Sequence, residues 1–185
     1  MAGIFKINNN EIIDSAGKLT TTAFPSGSVL QVITATHAPS APTTVTHNTD
    51  DDYLGSDLQC PITPKANGNK LYVTAFIPDV YNSAIAGRAL NAGFVYDADF
   101  SSGNGTTLGL RKYIAAFESY ISSNVTFLSN LQYSTSVTVG TNAPSAGSPS
   151  IIRPLFAGSG GDIQIATNEN SDREVYSLMV MEIQQ

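Results

Sequence analysis

The chain has 185 residues, a formal net charge of −6, and 42% hydrophobic but only 13% charged residues, where typical domains carry roughly 25% charged. The acidic balance argues against a nucleic-acid partner, because phosphate backbones need clustered Lys and Arg; the nine here are scattered, with Arg111-Lys112 the one basic pair. Cys60 is the sole cysteine, which excludes an intrachain disulfide scaffold, and no run approaches the roughly 18 apolar residues of a membrane span.

Met1 to Lys6 lacks a charged region followed by a long apolar run, so no signal peptide is expected and synthesis is placed in a cytoplasm. The first two dozen residues form short alternating segments around turns rich in Asn and Gly: Gly3 to Asn8, then Glu11 to Asp14, then Lys18 to Thr20. Strands this short cannot bury a core alone. Residues 1–24 are therefore predicted to be an N-terminal arm or stalk for assembly, with Ile4, Ile7 and Ile12 as its subunit contacts.

Phe24-Pro25-Ser26-Gly27 punctuates the chain, and residues 25–185 are predicted to form the main domain. Ser28 to Thr34 reads as a strand rich in β-branched residues. A long polar loop from His37 to about Ser56 follows. Leu58 to Ile62 is a short strand whose Pro61 implies an edge or a bulge. After a turn at Pro64 to Asn69, Lys70 to Ile77 is apolar on both faces and predicted to be central.

Arg88 to Tyr96 is the next strand, followed by a turn cluster at Ser101 to Gly105. Leu110, Tyr113, Ile114, Phe117 and Ile121 fall at helical spacing, yet Tyr113, Ala115 and Phe117 also alternate, and the surroundings favour a strand. Ser159-Gly160-Gly161-Asp162 reads as a hairpin turn. Pro149 to Ala157, Asp162 to Ala166 and Glu174 to Ile183 complete the set. Strands at this spacing predict an all-β fold, an antiparallel β-sandwich of jelly-roll type. The last strand is apolar on both faces, implying one face in the core and the other in a subunit interface; Tyr176, Leu178 and Val180 are the predicted interface residues.

The charge deficit is uneven. No Asp, Glu, Lys or Arg occurs from Leu19 to Thr49 or from Ser119 to Ile152. In a cyclic homotrimer every charge near the axis appears three times at short range, so a charge-poor surface suits self-association.

Several segments resemble a family. Pro25-Ser26-Gly27-Ser28-Val29-Leu30-Gln31-Val32 resembles the opening strand of tail-fibre-like virion structural proteins of tailed bacteriophages of the marine and cyanobacterial type. Ile62-Thr63-Pro64 with Lys70-Leu71 resembles the unit that follows, and Ser177-Leu178-Met179-Val180-Met181-Glu182-Ile183 the closing strand. Ile12 to Leu19 is similar to units of fibre stalks. The likeness runs from about Ile12 to Ile183, with a departure at Asn67-Gly68-Asn69, where Ser and Thr commonly precede the lysine. It implies a trimeric β-sandwich in a virion, on tail or head surface, with other phage virion proteins as partners.

Side chains with catalytic potential are few. His37 and His47 fit no zinc spacing and Cys60 alone cannot complete a site, although three-fold symmetry could place three copies of one histidine around an axial metal. Asp50-Asp51-Asp52 lacks the ligand spacing of a calcium loop and reads as an exposed acidic turn. Asp97 and Asp99 would share a strand face as paired carboxylates do in glycosidases, but strand ends often show such pairs without a catalytic role.

No catalytic residue, cofactor or metal is expected, and the chain reads as non-enzymatic. Tyr53 and Tyr81, in predicted loops, are candidates for recognising a host cell-surface glycan. A homotrimeric tail-fibre or fibre-tip subunit is the leading expectation. A capsid decoration or head-fibre protein is the alternative, and a glycan depolymerase the third.

Overall fold

The computed structural model describes residues 5–7, 10–13, 24–38, 43–45, 58–82, 88–101, 105–117, 127–159, 163–165 and 175–185. These contain β1 (Phe5–Ile7), β2 (Asn10–Ile13), β3 (Val29–His37), β4 (Thr43–Val45), β5 (Cys60–Ile62), β6 (Lys70–Asn82), β7 (Arg88–Asp97), β8 (Thr106–Phe117), β9 (Phe127–Thr138), β10 (Ser150–Ser159), β11 (Ile163–Ile165) and β12 (Tyr176–Ile183). No helix occurs among the described residues. β1 and β2 form an antiparallel pair of their own.

The remaining strands make two antiparallel sheets. One runs β5-β10-β7-β8; the other runs β3-β12-β6-β11-β4, with β9 on the far side of β6. The chain passes repeatedly between the two sheets, although β3 and β4, β7 and β8, and β11 and β12 each stay within one, and the product is a jelly-roll-like sandwich. β6 pairs with β12, β11 and β9, so Lys70 to Ile77 is central; only its Leu71, Val73, Ala75 and Ile77 face is buried, while Tyr72 and Phe76 are exposed. Pro61 is exposed on β5, an edge strand bonded only to β10, where its missing N–H costs no ladder bond.

The core lies between the sheets. Leu71, Val73, Ala75 and Ile77 of β6 face it beside Leu178 and Val180 of β12, and Phe94, Leu108 and Ile152 close it from the other sheet. Phe94 stacks on Tyr133 with ring centroids 4.8 Å apart. Burial holds the Tyr133 hydroxyl well above its ordinary pKa, because ionising it there would strand a charge in an apolar interior.

The segment with two readings, from Leu110 onward, is strand β8 as far as Phe117, antiparallel to β7. Pairing with β7 satisfies its backbone, which outweighs the helical spacing of its apolar residues. β9 and β4 are strands that the sequence reading does not name. The proposed hairpin at Ser159-Gly160-Gly161-Asp162 is corrected: β10 and β11 sit in different sheets, so that link is a crossover.

Three residues assigned to a subunit interface also change sides. Tyr176, Leu178 and Val180 are buried within the chain's own core. The outward face of β12 is the one carrying Ser177, Met179, Met181 and Ile183, all half-buried. Ile7 and Ile12 lie on β1 and β2, whereas Ile4 and Tyr53 fall outside the described residues. Tyr81 is not in a loop: it belongs to β6, opposite Leu128 and Gln164.

Candidate functional site

Two features stand out: a buried polar node at one end of the sandwich, and the outer face of the sheet above it. The node begins with strand alternation. Glu182 shares the inward parity of Val180 and Leu178, at the same level as Gln31 of β3 and Leu71 of β6, so its carboxylate enters the interior and is 0% exposed. A buried carboxylate needs donors on all sides, and the β5–β6 turn supplies them.

The Lys65 backbone N–H donates to both Glu182 oxygens at 2.8 and 3.1 Å, and the Ala66 N–H to Oε1 at 3.4 Å. Asn69 Nδ2 donates to Oε1 at 2.7 Å, and Gln31 Nε2 to Oε2 at 2.5 Å. Gln31 Nε2 also donates to the Thr63 carbonyl at 3.0 Å. Asn69 is where the sequence departs from the family pattern, and its amide is itself buried against the carboxylate.

The next loop is tied to the same turn. Asn67 Oδ1 accepts from the Ala146 N–H at 2.9 Å, Gly147 N–H donates to the Pro64 carbonyl at 2.9 Å, and Val139 N–H donates to the Asn69 carbonyl at 2.8 Å. Gly140 has φ +81°, and a Cβ there would lie 2.9 Å from Asn67 Oδ1. This end of the sandwich is therefore locked by hydrogen bonds that leave the carboxylate with no open side for a substrate.

The outer face of the β3-β12-β6-β9 sheet follows from the same register. Val32, Met181, Tyr72 and Ser136 form one row across the four strands. Thr34, Met179, Thr74 and Ser134 form the next, and Thr36, Ser177, Phe76 and Gln132 the third. None carries a charge. The first charge lies in the next row of the same face, where Lys70, opposite Ile183 and Thr138, donates from Nζ to Thr138 Oγ1 at 2.6 Å.

The exposed large hydrophobic residues among the described ones are Phe24 (37%), Val29 (49%), Val32 (52%), Tyr72 (37%), Phe76 (36%) and Val175 (51%). All lie on this sheet or on the residues leading into β3 and β12. The opposite sheet differs. Val95, Arg153 and Leu155 point away from the core yet are buried. Arg153 donates to Gln59 Oε1 from Nε and Nη2 at 3.2 and 2.9 Å, and its guanidinium lies 3.9 Å from the Phe100 ring centroid. The single chain thus covers one outer face of its sandwich at these residues and leaves the other open.

The remaining candidates stay apart. His37 ends β3 with its ring 6.2 Å from that of Tyr176; His47 and Asp50-Asp51-Asp52 fall outside the described residues. Asp97 is the last residue of β7 and Asp99 lies in the bend beyond it, so the two do not share a strand face as expected. Each carboxylate accepts a local backbone N–H, Asp97 from Ala98 and Asp99 from Ser101. The bonds from Ser101 hold Asp99 below the ordinary carboxylate range. Among the described residues no three of His, Cys, Asp and Glu gather into a metal-binding group. Cys60 is buried, and desolvation pushes its thiol up to about 11.

Nothing in the sequence marked the outer face as a unit, because its residues come from four distant segments. The node was half visible: Gln31, Thr63 and Glu182 all fall within the family-like segments.

Geometry defines the class: an antiparallel β-sandwich of jelly-roll type, covered on one outer face at Val95, Arg153 and Leu155 and exposed on the other at Val32, Tyr72 and Phe76. No protein-family model matches the sequence, and no curated protein does. Among solved structures, the infectious bursal disease virus VP2 subviral particle is similar at 14% identity over 83% of this chain and 32% of that one, with a TM-score of 0.40. The Gt strain of that virus gives 12% identity over 100% and 43%, TM-score 0.40. The CBM22-1 xylan-binding domain from Paenibacillus barcinonensis Xyn10C gives 8% over 86% and 97%, TM-score 0.27. The chain spans less than half the length of these viral chains, at 32% and 43%. Identities and TM-scores this low assign no function.

Proposed function

We propose that this chain is a non-enzymatic structural subunit of a tailed-phage virion, a homotrimeric tail-fibre or fibre-tip protein. The observation that supports this reading is where the family-like segments meet. Pro25 to Val32 leads into β3, Ile62 to Pro64 ends β5, Lys70-Leu71 opens β6, and Ser177 to Ile183 is β12. β3 and β6 flank β12 in one sheet, and Gln31, Thr63 and Glu182 meet in one buried hydrogen-bond network. Segments scattered over more than 150 residues of sequence thus build one structural node.

The role of such a node is mechanical. It fixes the end of the sandwich against shear, as a rigid projection requires, while exposed loops are left for contact with a host-surface glycan. Antibody against the purified chain, applied to phage particles carrying it and viewed by electron microscopy, tests the assignment. Label on tail fibres is the expected result. Label on the head favours the decoration or head-fibre reading, and intact particles free of label overturn a virion role.

A further inference from the structure

We infer that the outer face of the β3-β12-β6-β9 sheet is the surface on which copies of this chain associate, an inference that rests on the self-assembly part of the proposed function. Three observations carry it.

The first is charge. Each copy carries −6, so association brings like charge together unless the contact itself is bare of it. Three successive rows across four strands meet that condition, and a second copy presenting the same face meets no ionised group there. A charged partner would find nothing in these rows to pair with; the nearest ionised group, Lys70 in the row beyond, already donates to Thr138 Oγ1. The second is apolar exposure. Val32 and Phe76 stand on the face at 52% and 36% exposure, with Met179 and Met181 half-buried between them, whereas Val95 and Leu155 on the opposite outer face are already covered.

The third is size. Three rows at roughly 6.6 Å each across four strands about 4.8 Å apart span about 19 by 20 Å. A patch of about 400 Å² per copy is below the roughly 800 Å² that each partner gives a standard interface and fits a weaker, reversible association. Around a three-fold axis the face would point inward, where hydroxyl and methionine side chains tolerate threefold repetition and carboxylates do not.

The test is the solution mass of the full chain by light scattering, beside Val32→Glu and Thr34→Lys on the face and Ser148→Glu on an exposed turn elsewhere. Thr34→Lys exchanges one exposed polar side chain for another, so it guards against a variant that merely unfolds; circular dichroism checks each. The expected result is a trimer for the parent and Ser148→Glu, with both face variants folded and associating at least tenfold more weakly. Face variants that remain trimeric overturn the inference and leave the trimer standing. A parent dimer lost in both variants keeps the face and overturns the trimer. A monomeric parent at high concentration overturns both, whatever the antibody labelling shows.

Discussion

Replacing Glu182 by Gln keeps the size of the side chain and removes its charge, which isolates what the buried carboxylate contributes. Four groups donate to it: the Lys65 and Ala66 backbone N–H groups, Asn69 Nδ2 and Gln31 Nε2. Bonds to a charged acceptor are worth about 1.5–3 kcal/mol each, against about 0.5–1.5 for neutral ones. Weakening the three shortest therefore costs about 3 kcal/mol.

The carboxamide also turns its NH₂ toward one donor. That donor is left unsatisfied at about 1–3 kcal/mol, unless Gln31 flips and gives up its bond to the Thr63 carbonyl. Against these losses stands relief from burying a charge, an effective penalty of several kcal/mol. That relief wins where both partners of a pair can be replaced. Here two donors are backbone N–H groups that stay in place in the variant, so the losses prevail by about 2–4 kcal/mol. At about 2–4 °C per kcal/mol for a chain of this size, the melting temperature should fall by about 5–15 °C. Thermal and urea melts followed by circular dichroism measure it. A change within about 2 °C would refute the reasoning, showing that the node serves geometry without adding net stability.

Other outcomes follow from the same structure. Burial raises the Cys60 thiol from 9.0 to about 11, so the folded state favours the neutral thiol; this contribution is complete below about pH 9 and is lost as pH rises toward 11, and urea midpoints across that range should fall. The same burial keeps Cys60 from reacting with an aromatic disulfide reagent at pH 8 until denaturant is added, and prompt labelling of the native chain would contradict it. Gly140→Ala places a Cβ at φ +81° and 2.9 Å from Asn67 Oδ1, which should cost about 1–3 kcal/mol in urea melts; a neutral result would mean that the loop shifts freely. Phe94→Ala removes a buried ring stacked on Tyr133 and should cost about 3–5 kcal/mol, read as a lower denaturant midpoint at an unchanged slope.

Much of the fold was legible because strands announce themselves twice, by β-branched composition and by the turns between them. β3, β7, β10 and β12 were anticipated close to their observed limits, β6 runs five residues past its expected end at Ile77 and so takes in Tyr81, and of the edge or bulge that Pro61 implied the structure has the edge. β9 was missed although it alternates: Leu131 and Val137 are buried while Gln132, Ser134 and Ser136 are exposed. Its polar members, Ser, Thr, Asn and Gln, are those of a loop, and composition hid the period. β4 was missed for a different reason. Three residues within a long polar segment carry too little pattern, and pairing with β11 defines the strand.

β12 shows where sequence reasoning fails on physics rather than on signal. Both parities of Tyr176 to Ile183 are apolar, so hydrophobicity cannot say which faces inward, and the one charged residue gives the wrong answer. A carboxylate ordinarily points to water; by that rule the parity holding Glu182, and with it Tyr176, Leu178 and Val180, would be the outer one. The structure reverses this because the β5–β6 turn folds over the end of the sheet and brings two backbone N–H groups and the Asn69 amide to Glu182. A loop more than 110 residues away in sequence thereby fixes the facing of the last strand. With Glu182 held inside, Met179 and Met181 must face outward, between Val32 and Thr34 on one side and Tyr72 and Thr74 on the other. The node and the three uncharged rows are thus consequences of one register: a strand shifted by one residue would expose the carboxylate and turn Met179 and Met181 inward together.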